Sequence, residues 1–415
     1  MTKGRMPMDA TTATPSLRRH SLDAVLRHAW EADAFTASDV IAAVGVTRST
    51  AIDVLDELTA RRLLAEMPNA RAVGEYSKGR PARRFAFQPG SGVVVGVDAG
   101  RGHVTATVAD LRGETLATSR VAVDPERDSP DRRRRAAETI VDATLTRARR
   151  GRSDIVAMCV GVPAPVDRHG RSPVHHDRFW ERMNPGFVDT FQAWSPVVRV
   201  ENDASLAAVA ERARGAAVGC DDFVALLAGE RFGAGIHLDG HLLRGKHGGA
   251  GETVAFDRVE GVGGAEGLAP RCVDAARAAL ADESLPADSA LRGLDPESLD
   301  AKTVLDLAAT GDTAALAIAR QVGGALAGVV GIFGSLFDVD RVIVSGAIAA
   351  GAGPIIDAAI AALPRALDLP APEIVASALG ADIVSIGAVA AAVEAARENA
   401  LDLPVFAQPE DRARA

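Results

Sequence analysis

A chain of 415 residues with 47% hydrophobic content and a formal net charge of −9 is long enough for a large core and about two or three domains of ~150 residues, which excludes a disordered or fibrous protein. Lys3 and Arg5 precede no apolar stretch, and the longest uncharged run, the glycine-rich Gln321 to Phe337, falls short of the ~20 residues that span a bilayer. A soluble, cytoplasmic protein with no membrane partner is therefore expected. Cys159, Cys220 and Cys272 are odd in number and far apart, which excludes a disulfide framework and a closely spaced metal cluster.

Charge is divided unevenly. Residues 1–90 carry +3 and the remainder −12, as in a nucleic-acid reader joined to an acidic body that should avoid the phosphate backbone. The first predicted helix, Leu17 to Trp30, places Leu22, Val25, Leu26, Ala29 and Trp30 at helical spacing. A second starts at Thr36, with Asp39 three residues on as a capping partner, and should bury Val40, Ile41 and Val44. Gly45 ends it. Thr47 caps a third helix, in which Ile52, Leu55 and Leu58 should face inward and Arg48, Ser49, Thr50 and Asp53 outward. The short Gly45-Val46-Thr47 link is a helix-turn-helix signature, whose second helix presents its first residues to base edges. Two short strands, Leu63 to Glu66 and Arg83 to Phe87, flank a polar loop and complete a winged helix. Arg48, Ser49 and Thr50 are the candidate base-reading residues, and Lys78 and Arg80 on the wing the candidate phosphate or minor-groove contacts. The same three helices and hairpin would also serve a protein-docking module.

From Ser91 the pattern changes to α/β. Strands are expected at Val93 to Asp98, His103 to Leu111 and Thr115 to Val123, with a hairpin turn at Gly113, then a helix from Arg132 to Arg149 and a strand from Ile155 to Val160. The same order returns: strands at Phe223 to Ala228 and Ala234 to Leu238, a turn at Asp239-Gly240, several helices including the long Thr313 to Phe337, a strand at Val342 to Ser345 and a last helix from Ile386 to Asn399. Two similar halves with a ligand cleft between them is the natural architecture. In Val200-Glu201-Asn202-Asp203-Ala204, Asn202 can donate and accept hydrogen bonds and an ionised Asp203 can take a proton from a hydroxyl, which suits a polyhydroxylated ligand. Asp203 equally suits a helix N-cap.

These segments carry a family resemblance. Gly96-Val97-Asp98-Ala99-Gly100-Arg101-Gly102, Val200 to Ala204, Gly233-Ala234-Gly235, Leu243-Arg244-Gly245, Gly249-Ala250-Gly251-Glu252, Gly311-Asp312 and Val344-Ser345-Gly346-Ala347 together resemble the ROK family of repressors and sugar kinases, in its repressor branch. The resemblance implies an actin-like two-lobed fold, a homodimer or homotetramer, and sugar contacts from Asn202, Asp203 and Glu252. It also marks departures. Family kinases place threonine in the first phosphate turn, where this chain has Arg101-Gly102-His103, and Gly-Thr in the second, where it has Gly229-Glu230. A carboxylate about 4 Å from a phosphate is opposed by ~4 kcal/mol at an effective dielectric near 20, unless Glu230 points into solvent. The family's zinc ligands are replaced by Ala255, Gly261, Gly263 and Leu268, and a family glutamate by Pro270. Ala255 also stands where a histidine would touch the sugar.

The sequence thus predicts a winged helix-turn-helix at 1–90, an actin-like effector domain at 91–400 with lobes at about 91–200 plus 385–400 and 201–384, and a tail at 401–415. The expected function is that of a DNA-binding transcription regulator, a repressor responsive to a sugar or sugar derivative and acting on a pseudo-palindromic double-stranded operator. It is expected to be non-enzymatic, with no cofactor and no metal. Two alternatives remain: an ATP-dependent sugar kinase with an accessory DNA-binding module, and a DNA-binding protein whose second domain is a ligand-free dimerisation scaffold.

Overall fold

The computed structural model describes residues 15–68, 82–125, 127, 129–363 and 370–407, in two compact units. The first unit comprises the described residues up to Val93, the turn Asp110–Glu114 and the segment from Ala396 onward. Its elements are α1 (Pro15–Glu31), β1 (Phe35–Thr36), α2 (Ala37–Val44), α3 (Arg48–Ala60), β2 (Leu64–Met67) and β3 (Arg84–Phe87), with the strands in the order β1-β3-β2. Helix α2 begins at a full capping box between Thr36 and Asp39 and ends at Gly45, whose φ of 76° only glycine adopts at low cost. Thr47 then caps α3 by accepting from the Thr50 amide.

Helix α3 differs from expectation in its phase. Ala51, Val54, Leu55 and Leu58 are buried, whereas Ile52 is 39% exposed and faces outward. Ile41 and Val44 of α2 are only half-buried, and Val40 alone is fully enclosed. Trp30 packs on Phe87 at 4.3 Å and donates its indole N–H to the Leu111 carbonyl at 3.0 Å. The downstream segment is tied in by a bidentate Arg19–Asp402 pair (both 2.7 Å), by Arg61 donating to the Leu401 carbonyl and by Arg397–Glu31 at 2.8 Å, with Phe406 buried beneath.

The second unit holds two sheets of one design. The first is built from β4 (Val93–Asp98), β5 (His103–Ala109), β6 (Thr115–Ala122), β7 (Ile155–Val162) and β8 (Val198–Asn202), ordered β6-β5-β4-β7-β8. Helices α4 (Pro130–Arg147), α5 (Phe179–Met183) and α6 (Phe187–Phe191) accompany it, and α7 (Asp203–Arg214) runs from its last strand onto the second sheet. The second sheet contains β9 (Phe223–Leu227), β10 (Gly233–Leu238), β11 (His241–Leu242), β12 (Arg341–Ser345) and β13 (Glu373–Ala376), ordered β11-β10-β9-β12-β13. Around it lie α8 (Leu268–Ala281), α9 (Ala301–Ala309), α10 (Thr313–Phe337) and α11 (Gly353–Ala362), whereas α12 (Ile383–Asn399) returns to the first sheet, where a Cβ on Gly96 of β4 would meet Val389 and one on Gly161 of β7 would meet Val384. Counted within each half, both sheets have the strand order 3-2-1-4-5. Such sheets bind ligands beyond the carboxyl ends of their central strands.

Every residue of β4 and β7 is buried, as continuous apolar runs covered on both faces require. Helix α10 starts at the Asp312 cap and buries Ala315, Ile318, Val322, Leu326, Val330 and Phe333 at helical spacing. It is long and apolar enough to cross a bilayer, yet half of its most apolar stretch is inside the fold, against α8, α9 and α11.

Candidate functional site

Strand β8 ends at Asn202, paired with Val162 of β7, and α7 starts at the next residue. Asn202, not Asp203, is the cap. Its Oδ1 accepts from the Ser205 amide at 3.1 Å while Nδ2 donates to the Ala164 carbonyl at 3.2 Å, leaving one N–H for a ligand. Glu201 is held by a bidentate bond from Arg244 (2.9 and 3.1 Å), which fixes the end of β8 against the loop that follows β11. Asp203 is thereby freed from capping; its Oδ1 accepts the adjacent Ala204 amide at 2.8 Å.

Two glycines bring the second sheet to this point. A Cβ on Gly235 of β10 would lie 2.1 Å from the Ala204 carbonyl, so only glycine lets β10 approach the first turn of α7 so closely. Gly251, at φ 86°, lays its loop on Ala234, where a Cβ would sit 1.8 Å from that carbonyl, and delivers Glu252. Asp203, Glu252 and Asp98 at the end of β4 are consequently electrostatic neighbours. Burial, then the charges of Glu252 and Asp98, push the Asp203 carboxyl up to about 7, although the Ala204 amide opposes the shift. Glu252 opens onto solvent, yet the protein around its inner side raises its carboxyl as well, with Arg231 and His175 opposing.

The turn after β4 is closed from both sides. His103 Nε2 bonds Asp98 Oδ2 at 2.8 Å, and the imidazole lies where a Cβ on Gly100 would meet it at 2.6 Å. Beneath, the fully buried Arg133 of α4 donates to the carbonyls of Ala99 and Gly100 and to that of Met183 at 3.2 Å. His103 thus packs across the turn to which the family resemblance assigns phosphate. The second turn carries Glu230 exposed to solvent, the Glu230 carbonyl accepting from Gly267.

The segment where the family resemblance implies zinc does not fit that ion. Its interior is filled by Phe256, Val262, Ala265 and Leu268, and Ala255, Gly261 and Gly263 offer no side-chain donor. Cys272 lies fully buried in α8, its thiol pushed up to about 12 by burial. Sequence reasoning missed two parts of the site. One is Arg133. The other is the loop before α5, where His175 packs at a tilt on both His176 and Trp180 (4.1 and 4.3 Å) and is an electrostatic neighbour of Glu252. Adjacent histidines followed by a tryptophan were its signal. The donor atoms of His175, His176 and Asp177 lie within 4.8 Å of one another, and His175 Nδ1 is already bonded to Asp177.

In the first unit, Arg48 and Ser49 are exposed at the start of α3 and Thr50 is half-buried. The Thr47 hydroxyl links those of Ser49 (3.1 Å) and Thr50 (2.8 Å), so Thr50 is engaged in the cap. Lys78 and Arg80 lie outside the described residues.

The profile described as the ROK family matches residues 94–394. Among curated proteins, the chain is 22% identical over 209 residues to the xylose repressor of Bacillus spizizenii, a match covering 50% of this chain and only 52% of that repressor. It is 28% identical over 274 residues to the glucokinase of Thermotoga maritima (61% of this chain, 82% of that one). With the DNA-binding transcriptional dual regulator NagC of Escherichia coli it shares 25% over 302 residues (70% and 71%). Of solved structures, a ROK family transcriptional regulator described as a homolog of the E. coli MLC protein superposes with a TM-score of 0.75 over 94% of this chain and 99% of its own, at 20% identity. A ROK family glucokinase from Streptomyces griseus, in complex with glucose and AMPPNP, gives 0.61 over 73% and 100%, at 25% identity.

Proposed function

The chain belongs to the ROK family, and on that premise we propose that it is a cytoplasmic, sequence-specific transcription regulator, a repressor whose DNA affinity responds to a sugar or sugar derivative and which has no sugar kinase activity. The carrying observation is the pairing of a helix-turn-helix that turns Arg48 and Ser49 outward with a cleft that keeps Asp203 but fills its first phosphate turn with His103. The effector would sit over Asn202, Asp203 and Glu252. Asp203 and Glu252 accept from ligand hydroxyls, and the remaining Asn202 N–H donates. A hydroxylated ligand also relieves the crowding of the carboxylates, which is a reason for the cleft to favour one. With Ala255 and Pro270 in place of two contacts that the family resemblance implies, a modified or bulkier sugar fits this reading better than a plain hexose.

As a homodimer or homotetramer the protein would present paired reading helices to a pseudo-palindromic operator, with half-sites one helical turn or a multiple apart. Arg48→Ala should weaken specific binding by about ten-fold or more, corresponding to the ~1–3 kcal/mol of one bidentate base contact. A mobility-shift assay on the DNA upstream of its own coding sequence, with a panel of free, phosphorylated and amino sugars, tests the reading. Retardation that Arg48→Ala leaves untouched, or that no sugar changes, counts against it.

One observation favours the second reading, an active sugar kinase. An Asp203 carboxyl near 7 is suited to take a proton from a sugar hydroxyl at neutral pH. A base without a positioned phosphoryl donor does no chemistry, however, and His103 occupies the turn that would hold one. ATP consumption with millimolar hexoses should stay at background. Turnover above background that disappears in Asp203→Asn would establish the kinase instead.

A further inference from the structure

Four buried apolar residues of α3, Ala51, Val54, Leu55 and Leu58, already cover the core of the first unit. Ile52 is not among them. It is 39% exposed, a β-branched apolar side chain one turn beyond Arg48 and three residues beyond Ser49, hence on their face of the helix. Asp53, also exposed, lies beside it, and further along Asp56 is neutralised by Arg83 at 2.8 Å. An outward isoleucine next to a carboxylate makes a poor phosphate contact. Both side chains suit the floor of a major groove, where the thymine C5-methyl is an apolar target and the cytosine amino group a donor.

Resting on the DNA-binding reading above, we infer that Ile52 is a specificity-determining residue that packs on the methyl group of one thymine in each operator half-site. The contact is apolar and short-ranged, so it discriminates thymine from the same base lacking its methyl, which no phosphate contact can do. Arg48 and Ser49 would set affinity and register at the helix start. Ile52 would set the identity of a base about one turn along the helix.

The test uses the full chain. Binding sites are selected from random duplex DNA, and each thymine of the selected half-site is then replaced in turn by deoxyuridine, which removes only the methyl. One position should weaken wild-type binding by about three- to ten-fold, and the same replacement should cost Ile52→Ala nothing further. Because Ile52 lies outside the core, a thermal melt should show Ile52→Ala folded like the parent, and Ile52→Val should retain part of the methyl preference. Enriched sites in which every deoxyuridine is neutral, or in which wild type and Ile52→Ala lose equally, overturn the assignment alone. Failure to enrich any site overturns both the assignment and the DNA-binding reading beneath it.

Discussion

Asp203→Asn is expected to stabilise the ligand-free protein at pH 8, leave it unchanged near pH 4, and remove its response to effector. The folded-state carboxyl is raised to about 7 from an ordinary 3.8, so the folded protein holds a proton that the unfolded chain has released. The stability tied to that proton is complete below about pH 4 and is lost as the pH rises through about 7. Above 7 the folded protein carries a crowded carboxylate at a cost of about 2–4 kcal/mol, the lower figure allowing for solvent at the mouth of the cleft. Asparagine keeps an oxygen for the Ala204 amide and carries no charge, so the difference between the two proteins should grow from pH 4 to 7 and then level off. Denaturant titrations across that range read it directly; a difference that does not vary with pH contradicts the crowding. DNA binding without effector should survive, since Arg48 and Asp203 belong to different compact units.

Arg133→Met should cost about 3–5 kcal/mol. The guanidinium is fully buried and donates to three main-chain carbonyls, those of Ala99, Gly100 and Met183. Hydrogen bonds from a charged donor contribute roughly 1.5–3 kcal/mol each, and a methionine of similar length recovers the packing but none of them. The loss should also be local. Amide exchange should quicken around the turn at Asp98–His103, and the His103–Asp98 bond that closes the turn should loosen with it. A variant as stable as the parent, with unchanged exchange there, would mean that the turn is held by other contacts.

Much of the molecule could be read from its residues because the signals were local. Thr36 with Asp39, Gly45 and Thr47 each satisfy or terminate a helix end through neighbours three or four positions away, and the structure uses all of them. Ile52 reads as inward by its size, yet the smaller Ala51 and Val54 supply the packing face with Leu55 and Leu58. Asn202 and Asp203 could both cap α7, and only the register of β8 on β7 decides which one does. Arg133 sits in a run of four arginines, Arg132 to Arg135, and nothing in that run distinguishes the one whose side chain the fold encloses. The aromatic loop at His175 enters the site through tertiary proximity to Glu252, which no spacing encodes.

The ties between α1 and the segment after Ala396 bear on how the protein is made. Arg19 and Asp402 are 383 positions apart, and Arg61 and Leu401 are 340 apart. At a synthesis rate of about 5–20 residues per second, α1, α2 and α3 leave the ribosome roughly a quarter of a minute or more before their partners exist. Contacts of such long sequence separation form late and slow the final step of folding. The nascent α1, α2 and α3 must therefore wait, lacking the Arg19–Asp402 and Arg61–Leu401 bonds and the burial of Phe406, while the rest of the chain is translated and folds. A fragment that stops at Val93 reproduces that waiting state, and grafting residues 396–407 onto it by a linker is the shortest route to a separately folded first unit.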